Sequence, residues 1–366
     1  MGRMYSSPNG CDVIINPSRR FQTLLKGINK PGDCHNSPTP PQWLNRQLFE
    51  KGRKFCKKYF VCIMFSELLG LIIGSCFKRL VLPTIFTKYS NTPNKALRRY
   101  VSTVNRITKW FEEDVWDPKS RGHEDIMNVR MIHLKVSEQI KKAPTDVSLI
   151  YEKLECDFDL QCPFNSFYKN KTKSIKRVKF NLDDGKEPAE YLSQFDMALT
   201  QYCFIGLIIT HPEKLGLWWT SDMEMESFIH FWRGIGWLLG IEDDYNLCNG
   251  TYKEVRALCL EIESKLVMPN LIEPNAGSYT TSDTFMRGIN KLIPVFSYPS
   301  IMLYILTIFN IPNFSPYVSW THYSYYLILR FIFGFLFIFP LFIKVFNNLL
   351  KIIIKIYKCR YTSYFK

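Results

Sequence analysis

Residues 59–77 read YFVCIMFSELLGLIIGSCF, apolar on every side except at Ser66, Glu67 and Ser75. A helix with no polar face cannot lie on a protein surface; it forms the centre of a large core or crosses a bilayer. Glu67, near its middle, would be costly in lipid, so the run predicts a deeply buried helix. The chain has 366 residues, enough to enclose such a helix in one large domain or two modest ones. With 46% apolar and 15% aromatic residues, its composition excludes disorder.

Further helical patterns surround that run. In the helix predicted over 96–113, Leu97, Val101, Val104, Phe111 and Val115 form one stripe. Arg99, Thr103, Arg106 and Trp110 form another on nearly the opposite side. Arg99 and Thr103, four apart, share that second face, which taken alone reads as a solvated one. Residues 190–210 follow Pro188 and stop at His211-Pro212. Residues 223–241 form an amphipathic helix that ends at Gly240, before the acidic Glu242, Asp243 and Asp244. No repeat and no β-rich region appears, so the core is predicted to be all-α.

Residues 125–140 read DIMNVRMIHLKVSEQI. Ile126, Val129, His133, Val136 and Ile140 recur at spacings of three and four, which puts an imidazole on the face that turns inward. A ring taken out of water needs a hydrogen-bond partner or a metal. A core histidine bonded to a carbonyl satisfies the pattern, and so does a metal ligand, the commonest role of neutral imidazole. Arg130, one turn earlier, can hold an acidic group in a bidentate fork. His230 and Trp232 read as packing residues, and His35, His123, His211 and His322 show no ligand spacing.

The formal charge of +14 suits nucleic acid or an anionic membrane. The basic residues crowd beside apolar runs (Lys51, Arg53, Lys54, Lys57 and Lys58; Lys344, Lys351, Lys355, Lys358 and Arg360). No nucleic-acid signature accompanies them, so the expected partner is a membrane and not nucleic acid. The 11 cysteines have no zinc-type spacing. Cys156 and Cys162 are close enough to pair, though the odd total speaks against a complete disulfide framework. Sequons at Asn170, Asn249 and Asn313 permit a lumenal setting.

Residues 1–40 read as a loosely ordered leader without a secretory apolar region, and Gly2 fits the myristoylation pattern. A main domain is expected over 41–290, with an exposed insertion at 144–190 that includes a basic patch from Lys169 to Lys179. Residues 291–366 form a hydrophobic tail read as membrane-associated. Within it, 323–343 are long enough to span when counted whole, with Arg330 reaching toward an interface. Lys351, Lys355 and Lys358 alternate with isoleucines in a basic amphipathic pattern suited to a membrane surface. The rival reading of the tail is an apolar cap packed on the core.

Arg99-Tyr-Val-Ser-Thr103 followed by Arg130-Met-Ile-His133 resembles the catalytic domain shared by latex-clearing rubber oxygenases and an ER-bound fungal oxygenase of mycophenolic acid synthesis. Supporting stretches are Pro41-Gln-Trp43, Asp196-Met-Ala-Leu-Thr200 and residues 231–243, FWRGIGWLLGIED, the last two similar to animal members of the domain. The likeness covers about residues 40–260, without most of 144–190. It implies a globin-like helical core that binds haem b, with His133 as proximal iron ligand and Arg130 helping to hold the haem. Arg99 and Thr103 match an Arg-x-x-Lys-Thr element on the other side of the pocket, and Ser102 stands where that element has lysine. Ser137 stands where the family has an arginine after the proximal histidine. Glu67 is the candidate for the family's glutamate base.

The implied activity is a haem-dependent, dioxygenase-type cleavage of a carbon–carbon double bond. Its partners would be dioxygen and an isoprenoid or other unsaturated, lipid-like substrate, and its setting a membrane, that of the endoplasmic reticulum by resemblance. The alternatives are a haem-binding sensor or carrier without turnover, which Ser102 favours, and a haem-free helical membrane protein.

Overall fold

The computed structural model describes residues 17–143, 149–150, 190–311 and 318–360. Gly2, almost all of the expected insertion, Cys156, Cys162, Asn170 and Asn313 lie outside the described residues. Among those described, the architecture is all-α, with no strand.

The expected buried helix is α3 (Phe60–Ser75), and every residue of it except Val61 and Leu71 is buried. It meets α2 (Arg46–Lys58) at 86°, an elbow with Tyr59 at its corner. A break of this kind frees backbone groups that a continuous helix would pair. Asn347, from the far end of the chain, supplies both partners: its Oδ1 accepts from the Val61 amide at 2.7 Å, and its Nδ2 donates to the Lys58 carbonyl at 2.9 Å.

Two helices press on this elbow at unusually short range. Helix α7 (Gln194–Thr210) crosses α3 where Gly70 has no side chain; a Cβ there would stand 1.6 Å from the Cys203 carbonyl oxygen. Helix α8 (Asp222–Leu238) crosses α2 at Gly52, where a Cβ would stand 2.0 Å from the Ser227 carbonyl oxygen. Both helices begin with capping boxes, Ser193 with Asp196 and Ser221 with Glu224. The box at Ser193 explains why α7 starts a turn later than the apolar pattern alone suggests.

Helices α5 (Pro93–Glu112) and α6 (Arg121–Lys141) form an antiparallel hairpin that packs on α2 through α5, capped by Thr92 and Ser120. Between them and α3 runs α4 (Lys78–Phe86), whose Arg79 holds Asp196 through two bonds of 2.7 and 3.0 Å. Helix α9 (Tyr252–Ile262) passes into a π turn (Glu263–Val267), then α10 (Met268–Ile272), α11 (Ala276–Ile289) against α5, and the buried α12 (Tyr298–Ile308). The tail supplies α13 (Trp320–Gly334) and α14 (Pro340–Arg360).

One expectation needs correction. Residues 17–40 are not a loose leader, because they are folded onto the core. Helix α1 (Arg19–Lys26) buries Phe21 and Leu24, and the extended stretch after it is pinned by Gln194 N to Lys30 O at 3.1 Å and by Cys34 N to Gly240 O at 2.9 Å. Their polar composition reflects this backbone anchoring. Their contacts are too distant in sequence for local periodicity to reveal.

Candidate functional site

The α5–α6 hairpin sets the level of each side chain. Arg106 Nη1 lies 3.3 Å from Asp125 Oδ1, and Lys109 also pairs with Asp125. Seven residues back along α5 and eight forward along α6, about two helical turns from that rung, stand Arg99 and His133. The face of Arg99, Thr103, Arg106 and Trp110 therefore grades from exposed at Arg99, through half-buried Thr103 and Arg106, to the buried Trp110. It looks onto α6, and Trp110 is buried.

His133 and Trp110 each carry a buried, unpartnered ring nitrogen, and only His133 can act as a ligand. Its Nδ1 is buried with no hydrogen-bond partner, and neither ring nitrogen makes a hydrogen bond to any described residue. Burial first, then the charge of Arg99, push its pKa down to about 4, while Asp33 pulls slightly the other way. The ring is thus neutral at physiological pH and keeps its lone pair. His133 is half-buried with its Nδ1 shielded from solvent, and Arg99 is exposed.

The other predicted residues fall into place around it. Arg99 Nη1 donates to Ser90 Oγ at 3.2 Å, and burial lowers its guanidinium pKa. Thr103 Oγ1 donates to the Arg99 carbonyl at 3.1 Å, so its hydroxyl proton is committed to its own helix. Ser102 is half-buried. Ser137, one turn beyond His133, donates to Tyr191 O at 2.7 Å.

Arg130 does use a bidentate fork, but its acid is Asp33: Nε to Oδ2 at 2.7 Å and Nη2 to Oδ1 at 2.5 Å, with Nη1 to Asn36 O at 3.2 Å. Burial raises the Asp33 pKa, but the bonds from Arg130 and the His35 amide outweigh it and leave that pKa below its ordinary value. Three of the five N–H donors of Arg130 are engaged within the chain, two of them by the Asp33 carboxylate. The guanidinium staples the 30–40 segment to α6, under Gly240, whose φ of +90° and lack of Cβ admit the Asp33 carboxylate. A cleft of about 520 Å³ lined by Lys30, Asp33, Cys34, Trp237 and Glu242 opens here, and it includes neither His133 nor Arg99.

Two further groups bear on the chemistry. Glu67 Oε1 is buried without a partner on α3, and burial drives that carboxyl well above its ordinary pKa, so it holds its proton. Tyr100, next to Arg99 on α5, has its phenol pKa raised by burial first and then by the neighbouring Glu67. A second buried acid went unread in the sequence. Glu263, in the π turn, accepts from Thr210 Oγ1 at 2.6 Å and Tyr202 OH at 3.1 Å, and meets His211 Nε2 at 3.1 Å. All of its partners are supplied by the chain, which makes this cluster a structural lock; an acid beside the apolar Leu258, Ile262 and Leu266 was the signal available. No group of three or more metal-ligating side chains occurs among the described residues, so a metal here would need other ligands, as in a macrocycle.

His230 and His123 are bonded internally: His230 Nε2 accepts from the Asn45 amide at 3.0 Å, and His123 Nδ1 meets Val115 O at 2.8 Å. Comparison with family models, curated proteins and solved structures finds no match for this chain.

Proposed function

We propose that the chain is a haem b-binding protein of the oxygenase type, with His133 as the iron ligand. The observation that carries this reading is the His133 ring, neutral and half-buried, whose shielded Nδ1 makes no hydrogen bond to any described residue, near Arg99 across the α5–α6 hairpin. Leaving a buried nitrogen unpaired costs roughly 1–3 kcal/mol, a penalty that a coordinate bond would relieve. A single imidazole suffices for haem, whereas a bare ion needs clustered ligands, of which the described residues offer no group of three.

Haem bound there would supply an iron with one coordination position open to dioxygen. The chain's own residues do the rest. Arg99, Ser102 and Thr103, on α5 across the hairpin from His133, would border the bound oxygen and the substrate, for which the expected class is an isoprenoid or similar unsaturated lipid. Arg130 acts by holding α6 through Asp33 and not by touching the cofactor. A globin-like pedigree and residence at the endoplasmic reticulum belong to this proposal, as does delivery of substrate from a membrane. The second reading, a haem carrier or sensor without turnover, is favoured by Ser102, since serine brings no charge to that side.

The test is expression of the full chain with haem supplementation, comparing it with His133→Ala. The native chain should show a Soret band that the variant lacks, with both melting cooperatively. Equal haem content in the two would overturn the ligand assignment. Oxygen uptake with polyprenoid substrates then separates enzyme from carrier.

A further inference from the structure

The tail helices present apolar surface on the side away from the core. Helix α14 packs inward through Ile343, Asn347 and Tyr357. On its opposite face Leu341, Val345, Leu349, Ile352 and Ile356 recur at spacings of four, four, three and four, all exposed. Helix α13 repeats the arrangement: Tyr326, Leu329 and Phe333 face the core, while Leu327, Ile328, Phe331 and Phe335 face out. Trp219, two-thirds exposed, extends the same surface and donates through Nε1 to Ile338 O at 2.8 Å. A contiguous apolar surface of this kind marks an interaction site.

Charge says what covers it. Lys344 and Lys355 flank the α14 stripe on one side and form no ion pair among the described residues. Between α2 and the start of α14 lies a cleft of about 460 Å³ lined by Lys57, Lys58, Lys344, Lys351, Trp218 and Trp219. Lys58 is matched by Glu224 at 2.9 Å and Lys351 by Glu112 at 3.8 Å; Lys57 and Lys344 are left to attract an anion. Lysines and tryptophans at the rim of an apolar face are the arrangement that binds a bilayer surface. Trp320–Ile338, at 19 residues, is long enough by composition to cross a membrane. Crossing would pull Phe333 off Phe65, on which it stacks at 3.8 Å. It would also drag on α14, whose Asn347 caps the α2–α3 elbow.

We propose that α13 and α14 lie in the plane of a bilayer rich in anionic phospholipid, with the basic cleft taking a headgroup phosphate. This deepens the membrane part of the reading above and is independent of haem.

The test is flotation of the full chain with vesicles of phosphatidylcholine alone or with about a third phosphatidylserine. Binding should favour the anionic vesicles and weaken with salt. Lys57→Gln and Lys344→Gln should each weaken it about fivefold. Joint Val345→Asp, Leu349→Asp and Ile352→Asp should abolish it while leaving the melting transition and haem content unchanged. With bound vesicles, cysteines placed by Thr321→Cys and Asn348→Cys should both react with an impermeant maleimide added outside. Reaction of only one would make the tail a span, overturning the in-plane placement while keeping the membrane reading. Equal binding to both vesicle types would overturn the headgroup assignment. A lipid-independent dimer lost in the triple variant would make a second copy the occupant, and no flotation at all would sink the membrane reading with it.

Discussion

His123 and His133 lie on the same helix, α6, and meet opposite fates. His123 is buried and its Nδ1 rests on the Val115 carbonyl, so the ring completes the corner between α5 and α6. His133 is half-buried, its Nδ1 is shielded from solvent, and the ring is bonded to nothing among the described residues. Both positions are read from one helical period, yet one ring is consumed by the fold and the other is kept out of it. A protein selected for stability alone would have replaced the second with an apolar residue, since unpaired buried polar atoms are destabilising. The lesson is that an orphaned group reveals a use more surely than a buried one does.

The comparison can be broken in several ways. The largest effect should come from Asp33→Ala, which strands the Arg130 guanidinium beside the His133 segment. Removing one partner of a buried pair costs about 3–5 kcal/mol, and denaturant titration would read it. A loss under about 1 kcal/mol would mean that the pair does not hold α6.

His123→Ala should cost about 2–3 kcal/mol, from a lost hydrogen bond and a cavity, with haem content per folded molecule unchanged. His133→Ala should do the reverse, leaving stability within about 1 kcal/mol while losing haem. If the two variants behave alike, the contrast drawn between the rings is wrong.

Acid separates the rings further. With its pKa pushed from 6.5 to about 4, folded His133 binds fewer protons than the unfolded chain across that window. Stability is therefore complete above pH 6.5 and declines as pH falls toward 4, by about 2 kcal/mol once the accessible part of the ring is allowed for. Urea titrations across pH should show this slope in the haem-free native chain and not in His133→Ala.

The smallest effect concerns Glu67, whose raised pKa works with the opposite sign. Its folded form keeps a proton that the unfolded chain releases above the ordinary value of 4.5, so stability is full below that pH and erodes as pH rises. Glu67→Gln should stabilise the protein by about 1 kcal/mol at neutral pH and by less near pH 4, as thermal melts would show.

Much of this was legible in the residues. The unbroken apolar run announced the central helix, while the three-four stripe on α6 is buried at Ile126 and Ile140 and only half-buried at Val129, His133 and Val136. What escaped was every partner supplied from a distance. Asp33 answers Arg130 across 97 residues, and periodicity carries no information about that pairing. The tail was undecidable for a related reason: an apolar face looks the same in sequence whether it packs on Phe65 or meets lipid. Trp110 was assigned to an outer surface because its stripe is rich in arginine and threonine. Its burial against α6 follows from the hairpin, which only the tertiary arrangement provides.

Asn347 has a practical consequence. Trimming a greasy carboxyl end is the customary way to make such a chain tractable, but ending it before Pro340 would take away the amide that answers Lys58 and Val61 at the elbow. The shortened protein would carry two unanswered backbone groups beside its most buried helix. Detergent, not a shorter gene, is the route to handling it intact.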